Sequence, residues 1–312
     1  MGVFAVTFTA VAMLLTIGIL GYWMLSRRVI AGEALKPLSV LAIDIALPCL
    51  TFTSILKGFD PADNASWWTL PLWWLGSTAW FTALALVSSR LASPWCRREF
   101  TVALLYQNAI FFPLAIIVEL EGTGSALLVD LFLYTLFFPA FLFNTAPMFF
   151  AGTGQKSPYR ILNPVLAVTL AGIAIRLFGV SGFVPAFLAD GLSRVGAMAV
   201  PLLMLVLGGN IYLDMLGARK PAYRDVTAFV CMKNLVFPAA TLGMLLLVRP
   251  PHAPAFIIML QASVPPVTAV PIIVEREGGD RNVTNQFMVA SFLFSLVSIP
   301  AMIALFTSFF PG

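Results

Sequence analysis

Two long apolar stretches of this chain, residues 104–122 and 258–278, carry proline and polar residues near their middles. Proline removes a backbone donor and clashes with the preceding turn, so neither stretch is expected to form an unbroken helix. Carboxamide side chains and half-helix N-termini at such breaks can hydrogen-bond an anion without carrying a full charge. The candidate substrate-binding residues are therefore Gln107, Asn108 and Pro113 in the first stretch, and Gln261, Ser263, Pro265, Pro266 and Thr268 in the second. The alternative is that these polar groups only hold helices together.

The two stretches also end alike, which indicates an internal repeat. Residues 116–122 read IIVELEG and residues 272–278 read IIVEREG, and Pro48 in the first half answers Pro201 in the second. A backbone group left unsatisfied in hydrocarbon costs several kcal/mol, so a break is tolerated only inside protein or beside a wet cavity. Paired interruptions at corresponding places in two halves are the sequence signature of a secondary transporter's binding site.

Charged residues inside apolar spans are expensive and mark function, and two of them stand out here. Lys233 lies near the middle of its span, where it would either attract a substrate carboxylate or form a structural ion pair. Asp44 is its leading candidate partner, and a proton carrier or a cavity-facing carboxylate are the other interpretations of that residue. Asn234 is grouped with them as a coupling or charge-pairing residue. Because an unpaired buried cation costs several kcal/mol, we expect dipoles at the breaks to hold the substrate and Lys233 to be secondary.

The composition is that of an integral membrane protein. Hydrophobic residues make up 60% of the 312 and charged residues only 10%, whereas soluble domains carry about 25% charged residues. The net charge of +4 comes from basic residues in short loops beside apolar spans, so no nucleic-acid partner is expected. The three cysteines form no framework, and zinc spacings, phosphate-binding glycine loops and nucleophile elbows are absent from the sequence. We therefore predict no catalytic residue, no metal site and no cofactor, and the protein is not expected to be an enzyme.

Ten segments are long and apolar enough to cross a bilayer, for which about 20 residues are needed. They are residues 3–25, 36–57, 66–90, 100–119, 122–150, 162–179, 188–216, 223–248, 253–274 and 283–310. Most basic residues fall in loops on one side, which the positive-inside rule assigns to the cytoplasm, so both termini are expected outside. Five segments per half would invert the second half relative to the first. We therefore predict repeats at 1–150 and 162–312, joined by a short cytoplasmic linker at 151–161.

Several motifs along the chain are similar to those of one known family. They are IALPCLTFTSIL in segment two, ILNPVLAVTLAGI in segment six, VGAMAVPLLMLVLGGNI in segment seven, MKNLVFPA in segment eight, the proline-rich segment nine, and VASFLFSLVSIP in segment ten. The chain thereby resembles the auxin efflux carrier family, whose bacterial members include carriers of malonate and other small carboxylates. The resemblance implies an all-α integral membrane protein with ten transmembrane helices in two inverted five-helix repeats, in which broken helices four and nine cross. It also implies a scaffold domain that moves against a transport domain, and a homodimer through the scaffold helices.

Together these features predict a secondary transporter that carries a small organic anion, a carboxylate or an auxin-like molecule, across the cytoplasmic (inner) membrane by alternating access. The alternative is an anion channel or a membrane receptor on the same scaffold, because paired discontinuous helices also build pores. An intramembrane enzyme would need a catalytic constellation, which the sequence lacks. The expected partners are the anion and the lipid bilayer. A coupling proton or sodium ion and a second copy of the chain are left open.

Overall fold

The protein is helical throughout the part of the chain that the computed structural model describes, which is residues 2–61, 66–122, 124–150, 164–216 and 222–310, without the side chains at 214 and 216. Within these ranges the regular elements are helices, apart from one isolated β-bridge. Seven of the described helices are long and apolar enough to cross a membrane. The predicted all-helical, membrane-crossing class is confirmed, and the arrangement of ten spans in two inverted repeats stays a prediction. The predicted linker at 151–161 lies outside the described residues.

Two of the helices are each divided into half-helices, at the places where the sequence carries polar residues. In chain order the helices are α1 (Val3–Ser26), α2 (Gly32–Gly58), α3 (Trp67–Leu91), α4a (Arg97–Leu105), α4b (Phe111–Glu121), α5 (Ala126–Phe150), α6 (Pro164–Leu177), α7 (Ala186–Gly196 and, after one turn, Ala199–Leu216), α8 (Tyr223–Val248), α9a (His252–Ser263), α9b (Val270–Arg276) and α10 (Arg281–Phe309). The first interruption spans residues 106–110 and the second spans residues 264–269.

The two interruptions lie against each other and satisfy each other's backbone groups. The Asn108 N–H donates to the Pro265 carbonyl at 2.8 Å, and the Val267 N–H donates to the Tyr106 carbonyl at 2.9 Å. These two bonds form the isolated antiparallel bridge. Because an unsatisfied backbone group is costly in hydrocarbon, each interruption depends on the other for its stability.

The prolines occupy two kinds of position. The expectation that Pro113 interrupts the first helix is wrong. Pro265 and Pro266 lie within the second interruption, but Pro113 lies in the first turn of α4b, after the first interruption has ended. Pro271 likewise lies in the first turn of its half-helix, as the second residue of α9b. Proline is tolerated there because the first N–H groups of a helix have no intrahelical acceptor. Pro113 therefore helps to begin a half-helix and does not break one.

The similar tails of the two stretches end their half-helices in similar ways. Gly122 and Gly278 have φ values of 84° and 81°, a region that glycine adopts without strain. The Gly122 N–H donates to the Val118 carbonyl at 2.8 Å, and the Gly279 N–H donates to the Val274 carbonyl at 2.8 Å. Both bonds satisfy a carbonyl in the last turn, as is common where a helix ends at glycine. The likeness of the two tails in sequence thus has a counterpart in backbone geometry.

Glycines let α1 and α7 touch backbone to backbone. A Cβ on Gly208 would lie 1.7 Å from the Gly18 carbonyl oxygen, and a Cβ on Gly21 would lie 2.1 Å from the Leu205 carbonyl oxygen. Small residues permit this approach between membrane helices, where packing takes the place of a hydrophobic driving force. Since α1 also packs against α4b and α10, this tight pair is in direct contact with an interrupted helix.

Candidate functional site

A cavity of about 750 Å³ opens beside the two interruptions. Its walls come from the middle of α2, the first interruption, the second half of α5, the start of α6, and the second interruption with α9b. Most of its lining is apolar, which is usual for a small-molecule site. The polar and charged lining residues are Asp44, Asn108, Asn144, Thr268, Arg276 and Glu277. The cavity therefore combines apolar walls with a small number of groups that could orient a ligand.

Asn108 is the predicted site residue that this cavity places best. Its side chain is fully buried, and its Oδ1 accepts a hydrogen bond from the Phe111 N–H at 3.1 Å, the first N–H of α4b. Its Nδ2 has no hydrogen-bond partner among the described residues. A buried donor without a partner costs about 1–3 kcal/mol, so a ligand oxygen at this position would be stabilised. The partial positive charge at the N-terminus of α4b adds to the preference for an anion in this corner of the cavity.

The two glutamines brace the interruptions and do not line the cavity. The Gln261 Nε2 donates to the Ala109 carbonyl at 2.5 Å, and the Gln107 Nε2 donates to the Gln261 Oε1 at 3.5 Å. Ser263 is also outside the cavity lining, because its hydroxyl donates to the Met259 carbonyl within α9a at 2.8 Å. All three predicted residues are buried. Their geometry indicates that they stabilise the shape of the breaks.

Thr268 is the predicted residue of the second stretch that does line the cavity. Pro113, Pro265 and Pro266 are buried and lie outside the lining. The Pro265 carbonyl is already used by Asn108, and a proline has no N–H to offer a ligand. These prolines therefore shape the half-helices. Of the polar residues predicted at the two breaks, Asn108 and Thr268 line the cavity.

Lys233 and Asp44 do not pair, so the predicted ion pair is wrong. Asp44 is exposed and lines the cavity from α2, whereas Lys233 is 1% exposed, lies in α8 and is not part of the lining. Among the described residues the Lys233 Nζ has no hydrogen-bond partner, and it lies 5.2 Å from the centroid of the Phe237 ring. A cation over an aromatic face gains about 0.5–2 kcal/mol. The depth of two charges in their spans suggested the pair, but depth does not determine which way two helices face.

Asn234 belongs to a buried polar seam between α8 and α10. Its Nδ2 donates to the Ser291 carbonyl at 3.2 Å and to the Ser298 hydroxyl at 3.1 Å. Its Oδ1 accepts a hydrogen bond from the Ser291 hydroxyl at 2.7 Å. These bonds join two membrane helices and leave no free Asn234 group for a ligand. Asn234 therefore acts as a polar residue that holds helices together.

Two π-helical turns, which sequence reasoning missed, widen α2 and α8. They span Leu41–Ala46 and Met232–Val236 and contain Asp44 and Asn234. A proline follows each of these two polar residues four positions later. Because proline has no N–H, the carbonyl four residues before it loses its helical partner, and the helix can widen there. A polar residue four positions before a mid-span proline was therefore the available signal.

Three further lining residues were not assigned to the site from the sequence. Asn144 lies among the phenylalanines of α5, and Arg276 was treated only as a loop charge. Glu277 is buried beside it. Arg276 and Glu277 lie in the repeated tail, at the end of the second stretch. That proximity was the one signal in the sequence that could have found them.

An all-helical chain with a cavity beside two interrupted helices has the architecture of a membrane transport protein. A family model described as Membrane transport protein matches residues 6–156 and 148–303 of the chain. The chain belongs to this family, the auxin efflux carrier family, and is an integral membrane protein, so the resemblance drawn from the sequence is confirmed. The members of this family are transporters and not enzymes. Among curated proteins no match to the chain was found.

Proposed function

We propose that this protein is a secondary transporter that moves a small organic anion across the cytoplasmic membrane by alternating access. The observation that carries the proposal is the buried Asn108 Nδ2, which lacks a partner among the described residues and lies beside the N-terminus of α4b. A donor and a helix dipole favour negative charge, and the apolar walls suit a carbon skeleton. The substrate is a carboxylate, either a simple one or an auxin-like one.

Binding by dipoles explains how such a site can also stand empty. The substrate carboxylate would accept a hydrogen bond from Asn108 Nδ2 and a second one from the Thr268 hydroxyl. Neither group carries a full charge, so water can replace the anion without leaving a buried ion unpaired. Gln107 and Gln261 support this arrangement indirectly, because they hold the two interruptions in register.

Alternating access would follow from movement of two helix groups against each other. The helices α1, α2, α6 and α7 pack on one another, and the interrupted helices pack with α3, α5, α8 and α10. The cavity lies between α2 and α6 on one side and the two interruptions on the other. Displacement of one group would therefore open or close the cavity. The paired interruptions and similar helix ends support the inverted arrangement of two five-helix repeats with crossing half-helices.

Asp44 is the proposed coupling residue. Its carboxylate is exposed in the cavity and would repel an anionic substrate unless it is neutralised. A proton or a sodium ion bound with the substrate would remove this repulsion. In the proposed orientation both termini are extracytoplasmic and the cavity faces the cytoplasm. A homodimer through the scaffold helices completes the proposal, and native mass measurement in detergent would test it.

Transport in liposomes tests the proposal directly. Purified protein is reconstituted, and uptake of radiolabelled malonate and of indole-3-acetate is measured with and without unlabelled anion inside. Saturable uptake with counterflow would support a carrier, whereas ion currents of channel size would overturn it. Asn108→Ala should weaken uptake, and Asn282→Ala, a change at the start of α10 outside the cavity lining, is the matched control.

A further inference from the structure

We propose that Arg276 is the entry contact of the cavity, a cation that attracts the anion before it reaches Asn108. The inference rests on the proposed function for its substrate class. Arg276 is the last residue of α9b, is exposed, and lines the cavity. No other lysine or arginine is among the described lining residues. Arg276 thus supplies the positive charge on the described wall of the cavity.

The charge of Arg276 is free, unlike that of its neighbour Arg281. Arg276 forms no ion pair with any residue that the structure describes, whereas the Arg281 guanidinium pairs with the Glu275 carboxylate at 2.5 Å. The two arginines are five positions apart in sequence, but only Arg276 has an unpaired charge that can attract an anion from a distance. A paired charge has little field at a distance, and a free charge between apolar walls has its field focused along the cavity.

The position of Arg276 suits attraction and not joint binding with Asn108. With a rise of about 1.5 Å per residue, the six steps from Val270 place Arg276 about 9 Å along α9b from the end of the second interruption. Ile272 lies four residues earlier on the same helix face and also lines the cavity. A small carboxylate would therefore meet Arg276 first, pass an apolar wall, and then reach Asn108.

The other charged lining groups fit this order of events. Glu277 is buried and makes interactions of its own, so it does not present a free charge to the cavity. Asp44 lies on the α2 wall of the cavity and opposes an anion until it is neutralised. The anion is thereby attracted at the entrance. Its further movement depends on whether the Asp44 carboxylate has been neutralised.

A cysteine placed on the cavity wall reports the electrostatic potential near Arg276, and the experiment does not require the substrate to be known. Ile272→Cys is introduced after Cys49→Ala and Cys231→Ala, and the buried Cys96 is kept. Its rate of modification is measured with the anionic sulfonatoethyl methanethiosulfonate and with the cationic trimethylammonioethyl analogue. The same protein without Ile272→Cys gives the background rate. At low ionic strength, Arg276→Gln should lower the anion-to-cation rate ratio about tenfold, because the focused field is removed.

Controls distinguish the charge of Arg276 from a structural effect. Arg276→Lys should keep the ratio. The double change Glu275→Gln with Arg281→Gln removes the neighbouring ion pair as a whole and should leave the ratio unchanged. Added salt should shrink the effect of Arg276→Gln because it screens the exposed charge. In liposomes, Arg276→Gln should raise the KM for malonate several-fold with kcat unchanged. An unaltered rate ratio in Arg276→Gln, or an equal fall in the double variant Glu275→Gln with Arg281→Gln, would overturn the inference even if anion transport is observed. Absence of anion transport with a tenfold change in ratio would overturn the proposed function instead.

Discussion

Two polar regions lie within the apolar body of the protein, and they differ in how far their hydrogen-bonding groups are satisfied. In the seam between α8 and α10, Asn234 uses its amide nitrogen and its oxygen in bonds to Ser291 and Ser298. At the cavity, Asn108 uses its oxygen but leaves its nitrogen without a described partner. The same residue type therefore joins helices in one place and keeps an unsatisfied, buried donor beside a cavity in the other.

The difference between these regions separates structure from binding. In a membrane interior, a polar side chain is stable if neighbouring helices satisfy it, as in the seam. A polar group that is buried and incompletely satisfied reduces stability, so it persists where it has another use. Asn108 meets this description, and it also lines a cavity of ligand size. Substitutions in the two regions should accordingly affect different measured quantities.

The largest effect is expected from Asn108→Asp. This change replaces the free donor with a carboxylate, which would repel an anionic substrate and lose the hydrogen bond. We expect at least a hundredfold loss of malonate or indole-3-acetate uptake per folded protein, and a lower midpoint of thermal unfolding as well, because an unpaired buried carboxylate is costly. Asn108→Ala should be milder and weaken binding by about 1–3 kcal/mol, the cost of one unmade bond to a charged group. Normal uptake by Asn108→Asp would show that the anion binds elsewhere.

The opposite pattern is expected from Asn234→Ala in the seam. Ser291 and Ser298 would lose their bonds to the amide, so the free energy of unfolding should fall by about 1–3 kcal/mol. Substrate affinity of the folded protein should stay within about twofold of the original. Ser308→Ala is the matched control, because that exposed hydroxyl bonds only to its own helix. If affinity falls with no loss of stability, the seam is part of the binding site and the comparison fails.

Lys233→Met is expected to raise the free energy of unfolding, by less than Asn234→Ala lowers it. A buried cation without a hydrogen-bond partner is costly, and the contact of Lys233 with the Phe237 ring offsets only part of that cost. An apolar side chain of similar length keeps the packing. We expect the free energy of unfolding to rise by about 1–2 kcal/mol, as measured by thermal unfolding in detergent, and anion affinity to stay unchanged. Lower stability would mean that Lys233 has a stabilising partner in the protein.

The smallest expected effect is the coupling between Lys233 and Asp44. Since the two residues do not pair, the effects of Lys233→Met and Asp44→Asn on stability should add within about 0.5 kcal/mol. The double variant and both single variants are compared in the same thermal assay. A coupling energy above about 1.5 kcal/mol would restore the ion pair that the sequence suggested.

Sequence reasoning found the broken helices correctly but misjudged the part that individual residues play there. It identified both stretches because proline and amide residues are conspicuous in apolar spans. It assigned Pro113 to a break, although the residue begins α4b. It grouped Gln107, Gln261 and Ser263 with Asn108, although these three residues lie outside the cavity lining and their side chains bond to protein groups. All four are buried polar residues near a break, so local pattern alone does not distinguish them.

The missed residues illustrate a second limit. Arg276 lies in a charged tail that reads as a loop, and its relation to the cavity depends on the direction in which α9b leaves the second interruption. The π-helical turn around Asp44 depends on Pro48, a local signal that was available but not used. Placing Arg276 at the cavity requires the tertiary arrangement. Predicting the π-helical turn around Asp44 required only the rule that proline frees the carbonyl four residues earlier.

By itself the sequence determined the class of this protein, its helical character and the two stretches in which a straight helix is impossible. These follow from composition, length and the chemistry of proline, which act locally and do not depend on neighbours. The tertiary structure alone decided that the two interruptions satisfy each other, that Asn108 and Thr268 line the cavity, and that Lys233 and Asp44 do not pair. In a membrane both the lipid-facing and the buried faces of a helix are apolar. The periodicity that would orient a helix in a soluble protein is therefore weak, and only packing determines which polar groups meet.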